Sequence, residues 1–123
     1  MSIIQAYKNE DIPLTLTLSD LEYGINDYDN IVVYFYNLTT TRILTKFSIN
    51  ALAGYEDITV TDSANKIIDI IVPDADTKTA RRGTYGLSYR AEYTDVAYPD
   101  GIDDDVGVLV TLVKISYNPI VSE

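Results

Sequence analysis

The sequence predicts an all-β fold, a β-sandwich of seven to eight mostly antiparallel strands. Apolar and polar residues alternate in short runs, turn-forming residues separate these runs, and the one helical candidate, residues 76–82, is too short for more than about two turns. The chain has 123 residues, of which 46% are hydrophobic, and this is enough to bury one core. We therefore expect a single domain over residues 1–123.

The first half of the chain opens with a clear alternating strand. In residues 12–18 every second side chain is apolar, and Pro13 cannot donate a ladder hydrogen bond, so the strand begins there or lies at a sheet edge. Residues 31–36 form a continuous run of β-branched and aromatic residues, which favours a central strand. The preceding segment, Ser2–Lys8, is expected either to add a strand to its own sheet or to reach a neighbouring molecule.

The remaining strands follow at short intervals. Pro73 ends one of them, Asn118-Pro119 ends the last and longest, and the strand between these two alternates Tyr and Leu with small or charged residues. These strands are predicted at residues 43–49, 58–61, 66–72, 85–93 and 106–117.

The position of Tyr85 indicates which kind of β-sandwich the chain forms. In immunoglobulin-like domains a tyrosine near the start of the sixth strand bonds back to the backbone of the preceding corner. Tyr85 follows a short polar crossing that begins at Pro73, and Leu87 stands where antibody domains have their second cysteine. The spacing predicts an immunoglobulin-like β-sandwich without the tryptophan and cysteine pair of antibodies. The alternative is that Tyr85 is an ordinary strand tyrosine.

Composition excludes several classes of chemistry. The chain has no histidine and no cysteine, so Ser-His and Cys-His catalysis, thiolate metal sites and disulfides are impossible. A formal net charge of −10 speaks against nucleic-acid binding, and no basic amphipathic segment favours a membrane surface. The N terminus has neither a basic head nor a long apolar run, so no signal peptide is expected. We expect no enzyme activity and no required cofactor.

An acidic stretch at residues 95–105 is a candidate calcium site, and it suggests a calcium-dependent adhesion module as an alternative function. Calcium takes six to eight oxygen ligands, and clustered carboxylates on a loop can supply them. The spacing does not match an EF-hand, and the alternative is a solvated hairpin tip that turns at Pro99-Asp100-Gly101. The candidate ligands are Asp100, Asp103, Asp104 and Asp105.

The chain contains 11 tyrosines, and some of them suggest a carbohydrate-binding alternative. An exposed ring can pack on a sugar face while a nearby carboxylate accepts hydroxyl hydrogen bonds. Tyr93 and Tyr98 with Asp95 form one candidate group, and Tyr23 with Tyr28 forms another. Tyrosine is also an ordinary strand residue, and the chain has no tryptophan, the stronger sugar platform.

Apolar residues on the outward side of two strands predict an interface. Lys114 and Ser116 fix the outward phase of the last strand. In the strand at residues 31–36 the predicted core residues are Ile31, Val33 and Phe35, which leaves the alternate residues facing outward. Both strands flank the strand at residues 85–93, whose outward residues are small or polar, so two apolar rows border a shallow trough. The alternative is that residues 3–7 cover it. The predicted rows are Val32, Tyr34 and Tyr36, and Val108, Val110 and Leu112.

The pattern of strands over residues 10–93 resembles a known group of proteins. Asp11-Ile12-Pro13-Leu14-Thr15-Leu16-Thr17-Leu18, Ile31-Val32-Val33-Tyr34-Phe35-Tyr36 and Gly83-Thr84-Tyr85-Gly86-Leu87 are similar to segments of immunoglobulin-like virion proteins of tailed bacteriophages. This group includes capsid auxiliary (decoration) proteins and the N-terminal domains of baseplate and tail-fibre adaptor proteins.

The resemblance implies a structural role. The expected partners are other virion proteins and further copies of this chain, in a particle assembled in a bacterial host cytoplasm. Because the sequence ends at Glu123, a stand-alone auxiliary protein is expected rather than an adaptor domain.

Overall fold

A computed structural model describes residues 3–50, 52–94, 97, 102–109 and 111–116, with residues 102–105 described in their backbone alone. The described residues form ten strands and two short helical segments. A 3-10 turn at Ile25–Asp27 and the helix α1 at Asp74–Thr77 are the helical segments. The strands are β1 (Ile3–Tyr7), β2 (Ile12–Thr17), β3 (Asn30–Asn37), β4 (Ile43–Ser48), β5 (Glu56–Asp57), β6 (Thr59–Asp62), β7 (Ile67–Val72), β8 (Gly83–Thr94), β9 (Ile102–Val108) and β10 (Leu112–Ser116).

The strands form two sheets. The larger has the order β1-β10-β8-β3-β4-β5, with β9 also paired to β8, and the smaller has the order β2-β7-β6. The pairs β1–β10 and β4–β5 are parallel, and the other six described pairs are antiparallel. This arrangement confirms the predicted all-β, sandwich-like class. Within the described residues, no helix is long and apolar enough to cross a membrane.

One cluster of buried side chains lies between the two sheets. The alternation of β2 places its apolar residues inward and its threonines outward, and β7 meets it in antiparallel register. The predicted core residues of β3, namely Ile31, Val33 and Phe35, are each 0% exposed. The period of two therefore determines which face of each strand is buried, because successive side chains in a strand point to opposite faces.

The last predicted strand is divided in the structure. Ser88 of β8 pairs with Val108 of β9, and Tyr85 of β8 pairs with Val113 of β10. Tyr85 and Ser88 are three positions apart in sequence, whereas their partners Val108 and Val113 are five positions apart. Two extra residues are thus accommodated between β9 and β10. An even number of inserted residues preserves the inward and outward phase, so both halves keep the predicted faces.

Three smaller differences concern local elements. The two-residue β5 has no apolar alternation from which it could be predicted. The helix begins at Asp74, two residues before the predicted segment, and directly follows Pro73. The N-terminal residues pair with β10 of their own chain, which answers whether this segment adds to its own sheet.

Tyr85 joins the crossing segment to the large sheet. Its hydroxyl donates a hydrogen bond of 2.9 Å to the Arg81 carbonyl, four residues upstream. Its ring, 3% exposed, stacks on Phe35 with 5.0 Å between ring centroids. Tyr85 therefore fixes the end of the crossing against the core by packing and by one buried hydrogen bond.

We expect Tyr85→Phe to lower the free energy of unfolding by about 1–2 kcal/mol, because it keeps the ring stack but leaves the Arg81 carbonyl without this donor. Urea denaturation monitored by circular dichroism measures the change. Tyr36→Phe, which removes a hydroxyl from a half-buried ring on the outer face, is the matched control and should cost less. A cost at Tyr85 no larger than at Tyr36 would contradict this role for the hydroxyl.

The outer face of the small sheet is organised around Asp69. Its carboxylate accepts hydrogen bonds from the Thr15 hydroxyl at 2.6 Å and from the Thr61 hydroxyl at 2.7 Å, one from each neighbouring strand. These two hydrogen bonds stabilise the charged carboxylate and hold the pKa of Asp69 below its usual value. The interaction therefore adds stability above the unfolded-state pKa, and this contribution disappears as the pH falls through the lowered folded-state pKa.

Thr15→Val should lower the melting temperature at pH 7, because it removes the shorter of the two hydrogen bonds to the Asp69 carboxylate. The loss should shrink as the pH falls below about 4, where the aspartate becomes protonated in the unfolded chain. Thr17→Val, on the same exposed face of β2, is the control. A loss at Thr15 that is the same at pH 7 and pH 2.5 would rule out the charge-dependent interaction.

Candidate functional site

The outer face of the large sheet has β8 at its centre. Ser88 pairs with Tyr34 on β3 and with Val108 on β9, and the next outward residue, Arg90, pairs with Val32 and Val106. The three strands therefore lie in the order expected from the sequence, with the strand that carries small and polar outward residues between the other two.

The β9 side of this face is strongly exposed. Val106 is 73% exposed and Val108 is 68% exposed, the two highest values among the large hydrophobic residues described. Ile3, 64% exposed, lies in register with the half-buried Leu112 further along the same face. Val110, which the sequence placed in this row, lies outside the described residues. The exposed apolar surface thus follows β9 and the start of β1.

The β3 side is much less exposed than the sequence suggested. Val32 is 7% exposed, which corrects its expected place in an exposed row: it lies in a central strand with Ser48 and Arg90 as its cross-strand neighbours. Tyr34 and Tyr36 are half-buried. This part of the face is covered largely by side chains of its own chain.

Gly86 allows part of that coverage. A Cβ atom at this position would lie 2.8 Å from Leu38 Cδ2 and 3.3 Å from Tyr36 Cζ. The absence of a side chain on the middle strand therefore lets Tyr36 and Leu38 lie across it. Sequence periodicity correctly gave the outward direction of Tyr36, but it cannot show that a neighbouring strand leaves room for the ring to fold back onto the sheet.

Polar contacts occupy the same side of the face. Burial, together with the hydrogen bond and charge of the neighbouring Tyr55, raises the pKa of Tyr34. Lys46 Nζ lies 4.7 Å from the centre of the Tyr55 ring, and Arg90 Nε lies 3.8 Å from Glu92 Oε1. Tyr55 therefore contacts Tyr34 of β3 and Lys46 of β4, and the Arg90–Glu92 pair lies on β8 beside them, whereas the valines of β9 remain exposed.

A strand edge borders these valines. β9 pairs with β8 on one side, and β1 begins at Ile3 opposite Leu112, so the described residues place no strand along the other side of β9. Unpaired backbone groups on such an edge can pair with an additional strand. The sequence did not reveal this edge, because the run from Val106 to Ser116 contains no turn signal where the strand divides.

The position of β9 depends on a close contact beneath the valines. Gly107 pairs with Tyr89, and a Cβ atom on Gly107 would lie 2.6 Å from the Tyr89 hydroxyl oxygen and 2.7 Å from its Cζ. Tyr89 is 2% exposed, so its ring is held by the core. Only a glycine allows the strand to lie this close to the tyrosine.

We expect Gly107→Ala to cost about 1–3 kcal/mol of folding free energy, because the added methyl group overpacks a buried ring. Gly86→Ala is the matched control, since it meets the mobile end of Leu38 and should cost less. Denaturant titrations of both variants measure the difference. An equal or smaller cost at Gly107 would contradict the packing of Tyr89 against β9.

The end of the acidic stretch, residues 102–105, belongs to strand β9. Asp103, Asp104 and Asp105 lie within β9 and pair with Tyr93, Glu92 and Ala91, because the β8–β9 ladder extends as far as Thr94 and Ile102. Asp100 lies outside the described residues. In the part of the chain whose side chains are described, no three His, Cys, Asp or Glu residues form a group that could hold a metal ion. Calcium binding at Asp100 and Asp103–Asp105 stays a prediction.

The tyrosines near this end pack against one another. Tyr23 stacks on Tyr93 with 4.2 Å between ring centroids, and the Tyr28 and Tyr93 rings meet in a T-shaped arrangement with 5.8 Å between centroids. The Tyr28 hydroxyl also accepts hydrogen bonds from the backbone N–H groups of Glu22 and Tyr23. These ring contacts stabilise the segment between β2 and β3. They cover one face of the Tyr23 ring and one face of the Tyr93 ring. Tyr98 lies outside the described residues.

Comparisons with known proteins add no family to this picture: no protein-family model matches the chain, and no curated protein matches it. The fold and the site nevertheless define a class, an all-β sandwich that presents exposed valines beside a strand edge.

Proposed function

We propose that the chain is a non-enzymatic structural protein that acts through protein–protein contacts made by β9. The observation that carries this proposal is that β9 combines two features. Its Val106 and Val108 side chains are exposed, and one of its edges has no described partner strand. A partner strand added to this edge gains main-chain hydrogen bonds, and burial of each valine contributes about 1.5–3 kcal/mol.

The proposal includes an immunoglobulin-like form of the sandwich. Its support is the strand order, in which β8 lies between β3 and the β9 and β10 strands, and the hydrogen bond from Tyr85 to Arg81 at the crossing between sheets. The lack of histidine and cysteine in the sequence supports a role without catalysis.

Within this class we propose a virion component of a tailed bacteriophage, assembled in the host cytoplasm with other virion proteins and further copies of itself. Its support is the resemblance of residues 10–93 to immunoglobulin-like virion proteins, together with the exposed edge that an assembling subunit requires. A capsid auxiliary protein and a tail, baseplate or fibre-attachment component both fit these features.

Light scattering over a range of protein concentrations tests the contact, at about 1 M salt so that attraction between charged surfaces is limited to roughly 3 Å. We expect a defined oligomer with a mass above the 13.7 kDa of one chain, and we expect Val108→Asp to reduce it to a monomer without unfolding it. A charge at this position would be buried without a partner in the contact. Ile71→Asp is the matched control, because Ile71 is also exposed, at 56%, but lies on the small sheet.

Two outcomes would contradict the proposal. One is assembly at about 1 M salt that survives Val108→Asp, and the other is assembly at this salt concentration that Ile71→Asp abolishes equally. Circular dichroism and the melting temperature of each variant show whether a change in mass reflects a lost contact or a lost fold.

A further inference from the structure

The few basic residues of this acidic chain are concentrated at one end. Of nine Lys and Arg residues, four line a single cavity of about 720 Å³: Lys8, Arg81, Arg82 and Lys114. The other described residues that line it are neutral, and Thr79 and Ser116 contribute hydroxyl groups. We call this cavity the basic cleft. In a protein with a net charge of −10, it is a site of locally reversed charge.

A second cavity extends the basic cleft. It has a volume of about 530 Å³, shares Thr79, Ala80 and Arg81 with the first, and adds Arg42. The acid that lines it, Asp76, already accepts a hydrogen bond from the Thr45 hydroxyl at 2.8 Å. Five of the nine basic side chains therefore line one continuous region next to the start of β8 and the end of β10.

The opposite end of the sandwich carries an acidic loop. Residues 18–29 connect β2 to β3, and four of their side chains are exposed carboxylates: Asp20, Glu22, Asp27 and Asp29. Hydrogen bonds with other segments of the chain hold the loop in place. The Lys66 ammonium donates to the Leu21 carbonyl, Asn26 N–H donates to the Ser63 hydroxyl at 2.9 Å, and the Asn50 amide donates to the Asp29 carbonyl at 2.5 Å.

The strand register places the two charged regions at opposite ends. Asn30, directly after the acidic loop, pairs with Glu92 near the end of β8, whereas Asn37 pairs with Tyr85 near its start. The basic cleft adjoins Gly83, the first residue of β8. Since Gly83 and Glu92 are nine residues apart on β8, the two regions are separated by roughly 30 Å along the strand direction.

From this polarity we infer that the basic cleft binds the acidic loop of a second copy of the chain, in a head-to-tail contact along the strand direction. The two surfaces are different patches, so the contact is heterologous and repeats from copy to copy, giving a ring if the rotation closes and a filament if it does not. This inference rests on the proposed function only in treating the chain as an assembling protein. The surfaces involved are separate from Val106 and Val108.

Charge complementarity explains why a second copy fits. The net charge of −10 makes distant parts of two copies repel, but salt at about 0.1 M limits that repulsion to a range of about 10 Å. Carboxylates that contact the cleft lie well within this range of its lysines and arginines. Arginine adds directional strength, because its guanidinium can hold a carboxylate with two parallel hydrogen bonds.

The test uses two charge-reversal variants, mixed and separate. The cleft variant carries Arg81→Glu and Lys114→Glu, and the loop variant carries Asp20→Lys and Glu22→Lys. Every sample also carries Val108→Asp, so that the β9 contact does not contribute. Sedimentation velocity at about 0.1 M salt measures the mass, and circular dichroism establishes that each variant is folded.

We expect the Val108→Asp parent to associate as its concentration rises and each charge variant alone to remain at 13.7 kDa. An equal mixture of the two variants should associate again, because each variant has the surface that matches the other. About 1 M salt, which limits electrostatic attraction to roughly 3 Å, should weaken association of the parent and of the mixture at least tenfold.

Other results would overturn the inference. A mixture that stays monomeric while both variants are folded rules out contact between cleft and loop. Binding of a synthetic Glu-rich peptide by a parent that never self-associates would show that the cleft takes a foreign acidic segment and not a second copy. Either result leaves the β9 contact standing, since that contact is judged separately by the single variants Val108→Asp and Ile71→Asp.

Discussion

The pairing of β8 with its neighbours on both sides is the constraint on which the rest of the structure depends. Its twelve residues pair with β3 along one side and with β9 and then β10 along the other. Its inward residues, Tyr85, Leu87, Tyr89 and Ala91, are all buried, and they join the inward residues of β3 and β10 in the core. The start of β8 also holds the crossing from the small sheet through Tyr85.

The outward residues of β8 determine which parts of the large sheet are exposed. Gly86 lets Tyr36 and Leu38 lie across the strand, and Arg90 with Glu92 adds charge beside Val32. On the other side, Gly107 seats β9 against the buried Tyr89. The same strand therefore supports a covered surface over β3 and an exposed one over β9. This difference concentrates the available apolar area at a sheet edge, where hydrogen bonding and burial act together.

The two proposed contacts use different physical forces in different directions. The β9 edge adds a partner sideways to the sheet through apolar burial and main-chain hydrogen bonds, which salt affects little. The basic cleft and the acidic loop add a partner along the strands through charge, which salt weakens. A subunit with one lateral and one axial contact of these kinds could extend in two directions. Because each contact has its own residues, the two can be removed one at a time.

The sequence by itself determined the all-β class, the faces of the strands and the shortage of catalytic side chains, because alternation and composition are local properties of the chain. It also placed Tyr85 beside the crossing and gave the outward phase of Val108. The tertiary structure alone decided how exposed each outward residue is, since that depends on what neighbouring strands carry: Val32 and Val108 have the same predicted direction, yet one is buried and the other exposed. Only the tertiary structure shows where the last strand divides, because no turn residue marks the two-residue insertion. Only the tertiary structure shows the basic cleft, because Lys8, Arg81 and Lys114 are far apart in sequence and meet only when β1, β8 and β10 pair.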